Sequence, residues 1–352
     1  MEETMHWKFD ENFPPAPGDA WSAWRPPFGR KRMGESAVRR ATWQWHPLDP
    51  LLVSVPGARH MLPPVCFTEI AQALHRRMLL QYRALLLLVL CILLGSGVAG
   101  YATGDGFFLK ASLAVAVLLV FVLLQYFCVL VLLERVRDYS RLFSWCYLQP
   151  QAPVVWMAAL MVLAGSAQYL AQSRIGDLSR VIETYGLVFN RVPQDPWRYL
   201  TGPFLHAGLA HWIANFSLLM VGSGFAFAFG KNAVLWSVFA AGVFLPGIAL
   251  TFLPHWIGLD AFLGVSGGVF ALLGWVVGIT LRNRQVFPAG LWWVMGYFSL
   301  ATVLVASLLD AHASWFAHLF GFFIGLLLGM AEIGMKFELG ISRKVVRSSD
   351  EA

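Results

Sequence analysis

The sequence predicts an all-α polytopic membrane protein, and three observations carry that prediction. Hydrophobic residues make up 58% of the chain and charged residues 13%, about half the ~25% charge of a soluble domain. Apolar runs of about 20 residues recur, the length a helix needs to cross a hydrocarbon core of about 30 Å. Lysines and arginines collect in the tails and in short loops between those runs, as the positive-inside rule requires.

Residues 1–67 stand apart. Proline clusters (Pro14, Pro15, Pro17; Pro26, Pro27; Pro63, Pro64) break any long helix, and five tryptophans alternate with Arg25, Arg30, Lys31, Arg32, Arg39 and Arg40. The pattern predicts a loosely ordered cytosolic tail held inside by its charge, without a cleavable signal peptide. From Thr68, taken as N-cap, a helix runs through Arg76, Arg77 and Arg83 into the first span.

Eight spans are expected, near 84–104, 107–133, 152–170, 204–229, 233–253, 265–281, 286–308 and 313–332. Gly104-Asp105-Gly106 turns the chain between the first two. With eight crossings, the basic N-terminal region, the 134–151 loop, Lys231, Arg282 with Arg284, and the C-terminal tail fall on one side, while the 254–264 and 309–312 loops carry no Lys or Arg. Both termini are therefore expected in the cytosol. The 171–203 segment, with four arginines, is the exception and is expected to fold as a loop on the far side. Cys66, Cys91, Cys128 and Cys146 show no disulfide or zinc spacing and are expected to be small buried hydrophobes.

Polar residues inside spans are costly and mark function. Three clusters qualify: His206 with His211 and Asn215 opening the fourth span, Gly264-Val-Ser266-Gly267-Gly268 opening the sixth, and Ala317-His318 with Gly321 and Gly325 opening the eighth. These spans run in the same direction, so the clusters share one depth near the non-cytosolic face. His211 and Asn215, four apart, lie on one helix face. Gly321 and Gly325 form a small-xxx-small face that admits another helix backbone closely, and the glycines beside Ser266 make the sixth span its natural partner. A serine hydroxyl needs a base to accept its proton, which His318 supplies. The oxyanion that follows needs donors, available from His211, Asn215 and the Ser266 backbone N–H. No acidic residue is close to His318 in sequence, Asp310 being eight residues earlier, so a Ser–His dyad is the economical arrangement.

Trp197-Arg198, His206, His211, Asn215, Gly264-x-Ser266-Gly267 and Ala317-His318-x-x-Gly321-x-x-x-Gly325 together resemble the rhomboid family of intramembrane serine proteases, over about residues 150–335. The resemblance implies a six-helix core with Ser266 as nucleophile and His318 as base. It implies oxyanion-hole side chains in His211 and Asn215, a supporting His206, and a structured loop containing Trp197 and Arg198 partly in the outer leaflet. Two departures stand out. The family's frequent glutamate at the end of the second core helix is missing from Gly222-Ser-Gly224-Phe-Ala-Phe227, and two spans precede the core.

The expected plan is thus an N-terminal region (1–67), two additional transmembrane helices with a basic loop (68–150), a six-helix catalytic core (151–335) and a cytosolic tail (336–352). The expected partners are transmembrane protein substrates and the lipid bilayer, with no nucleic acid, metal or cofactor, and with the oligomeric state open. A bacterial inner membrane is the expected location. HExxH, P-loop and dinucleotide-binding motifs are absent, and Asp105 has no second intramembrane aspartate to pair with. The rival from another class is a catalytically inactive rhomboid-like binder that escorts membrane clients. A transporter would show polar residues tracing a path across, and here they gather at one face.

Overall fold

The computed structural model describes residues 6–26, 28–252, 260–309 and 314–331. The 336–352 tail, Asp310 and the ends of the 313–332 span lie outside the described residues, as does most of the 254–264 loop. By contacts the chain forms two compact units, Met1–Pro150 with Asn283–Ala301, and Gln151–Arg282 with Thr302–Ala352.

In the first unit, residues expected to be loose form a small folded region. Strands β1 (Ser22–Trp24), β2 (Lys31–Arg32) and β3 (Leu52–Ser54) make an antiparallel sheet in the order β2-β1-β3, flanked by helix α1 (Glu35–Thr42). Trp7, Val38, Trp45, Leu52, Val53 and Met61 are at most 1% exposed, so two of the five tryptophans read as tail residues are core, while Trp43 is exposed. Burying such side chains contributes about 1.5–3 kcal/mol each, enough to order a short, proline-broken segment. Ser22 and Ser54 share a 2.6 Å hydrogen bond between β1 and β3.

Helix α2 (Thr68–Thr103) leaves this region and continues into the first span. Thr68 is its first residue, and the cap position belongs to Phe67, which makes no side-chain cap bond. Arg77 holds the junction by donating to the carbonyls of Trp45 (2.7 Å) and Thr42 (3.3 Å). The hairpin into α3 (Gly106–Gln125) turns as expected. Gly104 adopts φ 66°, which favours glycine, and Asp105 caps α3 by accepting from the Phe107 N–H. Both helices present exposed leucines along their length, as a lipid-facing surface does. Helix α4 (Leu133–Leu148) carries the basic loop, and Arg141 donates to the Trp7 and Lys8 carbonyls and to Asp10. All four cysteines are free, but only Cys146 is buried; Cys66 and Cys128 are half-buried and Cys91 is exposed, because its helix face looks outward.

The second unit contains α5 (Ala152–Ile175), the loop helices α6 (Leu178–Tyr185) and α7 (Arg198–Thr201), α8 (Leu209–Phe229), α9 (Asn232–Phe252), α10 (Ser266–Arg282) and α12 (Trp315–Met330). Helix α11 (Leu291–Leu309) contains the boundary between the units. Every predicted span coincides with a helix. Six helices among the described residues are long and apolar enough to cross a membrane, while α10 and α12 are apolar but shorter. The all-α polytopic expectation holds, with two small sheets added to it.

Helix α10 is the axis of this unit. Its residues from Ser266 to Thr280 are all buried, because glycines on three helices let backbones meet. A Cβ on Gly321 would overlap the Gly267 carbonyl, and one on Gly325 would overlap that of Ala271. A Cβ on Gly242 of α9 would sit 2.6 Å from the same Gly267 oxygen, so three helix backbones meet there.

Candidate active site

Ser266 is the first residue of α10, and His318 lies in the first turn of α12. The close α10–α12 packing brings His318 Nε2 to 2.9 Å from Ser266 Oγ, with both side chains buried at 5% and 4% exposure. The Phe270 ring, one turn below Ser266, packs on the imidazole at 4.7 Å between centroids, tilted by 34°. This support was not foreseen, although its position four residues after Ser266 on a helix was a readable signal.

Gly264 has φ 98°, which redirects the chain into α10 and leaves room for the neighbouring helix. A Cβ there would lie 3.1 Å from His211 Nε2 and 3.5 Å from Asn215 Nδ2. The two α8 side chains therefore converge on the backbone two residues before Ser266. Asn215 is 4% exposed, and its Nδ2 donates to nothing among the described residues. The Ala207 N–H donates to His211 Nδ1 at 3.3 Å, which leaves the imidazole proton on Nε2. His206 is buried, its ring 5.3 Å from that of His211.

Trp197 and Arg198 do not reach Ser266. Arg198, 3% exposed, organises the loop from within: its guanidinium bonds Asp195 (3.1 Å) and the carbonyls of Glu183 (2.9 Å) and Gly186 (2.8 Å). Trp197 is 41% exposed and lies against Tyr185. A pairing that sequence reasoning missed joins this loop to the site. Strand β4 (Leu187–Val188) lies antiparallel to β5 (Ala261–Phe262), just before Gly264. Leu187, Phe189, Val192, Leu250, Phe262 and Ala317 bury this connection in one apolar cluster. Beside α5 and α8 lies a cavity of about 610 Å³, bordered by Gln168, His206, Gly208 and Trp212.

Eight apolar helices among the described residues that match the predicted spans, with a serine and a histidine hydrogen-bonded at the starts of two of them, define a multi-pass integral membrane protein whose surroundings are the lipid bilayer. Residues 193–334 match the Rhomboid domain family model, the family that its motifs resemble. It is 27% identical over 198 residues to Rhomboid protease GlpG of Salmonella typhi, covering 51% of this chain and 63% of that protein. It is 31% identical over 136 residues to RHOMBOID-like protein 1 of Arabidopsis thaliana, covering 38% of this chain and 33% of the relative. The chain thus spans less than two thirds of the length of these curated relatives.

Proposed function

We propose that this protein is an intramembrane serine endopeptidase that hydrolyses peptide bonds in or near transmembrane segments by a Ser266–His318 dyad. The single observation that carries this reading is the buried 2.9 Å hydrogen bond between His318 Nε2 and Ser266 Oγ. As Oγ bonds to the scissile carbonyl carbon, His318 takes its proton. The carbonyl oxygen becomes an oxyanion that accepts from Asn215 Nδ2, His211 Nε2–H and the Ser266 backbone N–H at the start of α10. Collapse breaks the C–N bond, and His318 returns the proton to the leaving amine. Water then attacks the acyl-enzyme with His318 as base, releasing the new carboxyl end and restoring the serine.

The short α10 and α12 support an active site below the membrane surface. At 1.5 Å per residue, the 17 residues of α10 extend about 25 Å, short of the ~30 Å core. Substrates are single-span proteins whose helix unwinds readily, since an intact helix hides its peptide bonds. The charge distribution supports both termini in the cytosol and the site toward the opposite face. The test is cleavage of a membrane substrate by purified protein, with Ser266→Ala and His318→Ala alongside. Loss in both, with fluorophosphonate labelling of wild type and not of Ser266→Ala, is the expected result. Unaltered cleavage in either variant overturns the dyad, and an inert wild type favours the escort reading.

A further inference from the structure

The segment leading into α8 has no sheet or helix of its own to fix it, yet it carries His206 and Ala207. A side chain from α5 supplies what a neighbouring strand would. Gln168 is 9% exposed, and its amide makes two hydrogen bonds to the backbone of one residue, donating from Nε2 to the His206 carbonyl at 2.8 Å and accepting at Oε1 from the His206 N–H at 2.8 Å. The paired geometry fixes which end of the amide is which, since only the nitrogen can face a carbonyl and only the oxygen an N–H. The next backbone group, the Ala207 N–H, is the donor that meets His211 Nδ1. The chain of contacts therefore runs from Gln168 through the His206–Ala207 backbone to the ring whose Nε2 lies beside Gly264.

We infer that Gln168 is a positioning residue for His211: it clamps the His206 backbone so that the Ala207 N–H holds His211 as the Nε2–H tautomer, aimed at the oxyanion position. This rests on the proposed protease reading for its catalytic consequence, though not for the tautomer itself. A neutral imidazole carries its proton on one nitrogen only, so a donor at Nδ1 leaves Nε2 as the donor. When the clamp is released, the Ala207 N–H drifts, both tautomers become populated and the ring loses the bond that holds Nδ1. The site loses a preoriented donor while Ser266 and His318, on other helices, keep their hydrogen bond.

A second contact between the same helices provides the control. Trp212 of α8 donates from Nε1 to the Met161 carbonyl of α5 at 3.1 Å and packs over Gly165. It fastens α5 to α8 without reaching the His206 backbone.

The experiment compares wild type, Gln168→Leu and Trp212→Phe in detergent, by melting temperature, by kcat and KM on a membrane substrate, and by ¹⁵N-histidine spectra with the His211 signals assigned by His211→Gln. Wild type should show His211 protonated at Nε2 only. Gln168→Leu should show mixed tautomers and a kcat about 10- to 100-fold lower at unchanged KM, somewhat less than the ~10²–10³ typical of deleting an oxyanion donor. Trp212→Phe should lower the melting temperature and leave kcat and the His211 signals in place. A Nδ1–H tautomer in wild type, unchanged His211 signals in Gln168→Leu, or an equal fall in kcat in Trp212→Phe overturns the inference. A wild type that hydrolyses nothing, but whose His211 signals shift in Gln168→Leu, upholds the positioning and removes the protease reading instead.

Discussion

Gly321 lies against Gly267 so closely that no side chain fits between them, and three residues earlier on the same helix His318 meets Ser266. The glycine contact sets the distance between α10 and α12, and the hydrogen bond is read out from that distance. Gly321→Ala should separate the helices by the width of a methyl group against a backbone oxygen, at a cost of about 1–3 kcal/mol. The expected result is a lowered melting temperature together with fluorophosphonate labelling slowed at least tenfold. Gly325→Ala, one turn further from His318, should cost comparable stability with a smaller effect on labelling. Equal labelling of Gly321→Ala and wild type would show that the glycine contact does not hold the dyad.

Asn215 offers a case where stability and activity part company. Its Nδ2 is buried without an acceptor among the described residues, a situation that costs about 1–3 kcal/mol. Asn215→Leu, close in volume and apolar, should melt at the same temperature as wild type or above it. If the amide is held for the oxyanion, kcat should nevertheless fall by about 10²–10³. A variant that is both less stable and fully active would mean that Asn215 is structural.

Arg198 should be irreplaceable by lysine. Its guanidinium reaches Asp195 and two carbonyls, on Glu183 and Gly186, from a position 3% exposed. A lysine carries one ammonium that cannot span three separated acceptors with the same geometry. Arg198→Lys and Arg198→Ala should both loosen the 178–201 loop, seen as faster proteolysis there. Because β4 pairs with β5 ahead of Gly264, substrate cleavage should fall as well. Full protection of the loop in Arg198→Lys would refute this assignment.

The membrane-spanning helices are legible in the sequence because lipid leaves little else for a 20-residue apolar run to be. The polar clusters were equally readable, since a histidine or asparagine in such a run stands out against its surroundings. What stayed hidden depends on contacts between distant segments. The core of residues 6–67 rests on pairings such as Ser22 with Ser54, which no local periodicity announces. Its tryptophans, interleaved with arginines, have the composition of a surface patch, and only the fold makes Trp7 and Trp45 interior. The β4–β5 bridge involves two residues on each strand, too few for an alternation to register. Gln168 bonds to backbone atoms, so the identity of its partner residue leaves no trace in the sequence.

The N-terminal folded region should weaken in acid, through His46. The Leu48 N–H donates to His46 Nδ1 at 3.3 Å, and Nε2–H can donate to the Tyr82 hydroxyl at 3.1 Å, which in turn donates to Gln125 at 3.2 Å. Protonation would remove the Nδ1 acceptor and place a cation in a partly buried site. Burial lowers the pKa of His46 from the ordinary value near 6.5, Asp49 opposes that shift, and Arg77 adds to it. The unfolded chain therefore binds the proton more readily. Stability is complete above about pH 6.5 and declines as the pH falls from there through the lower folded-state pKa. Hydrogen exchange across residues 43–50 should accelerate over that interval in wild type and stay level in His46→Gln, which is neutral throughout. A level wild-type profile would show that His46 does not couple this region to pH.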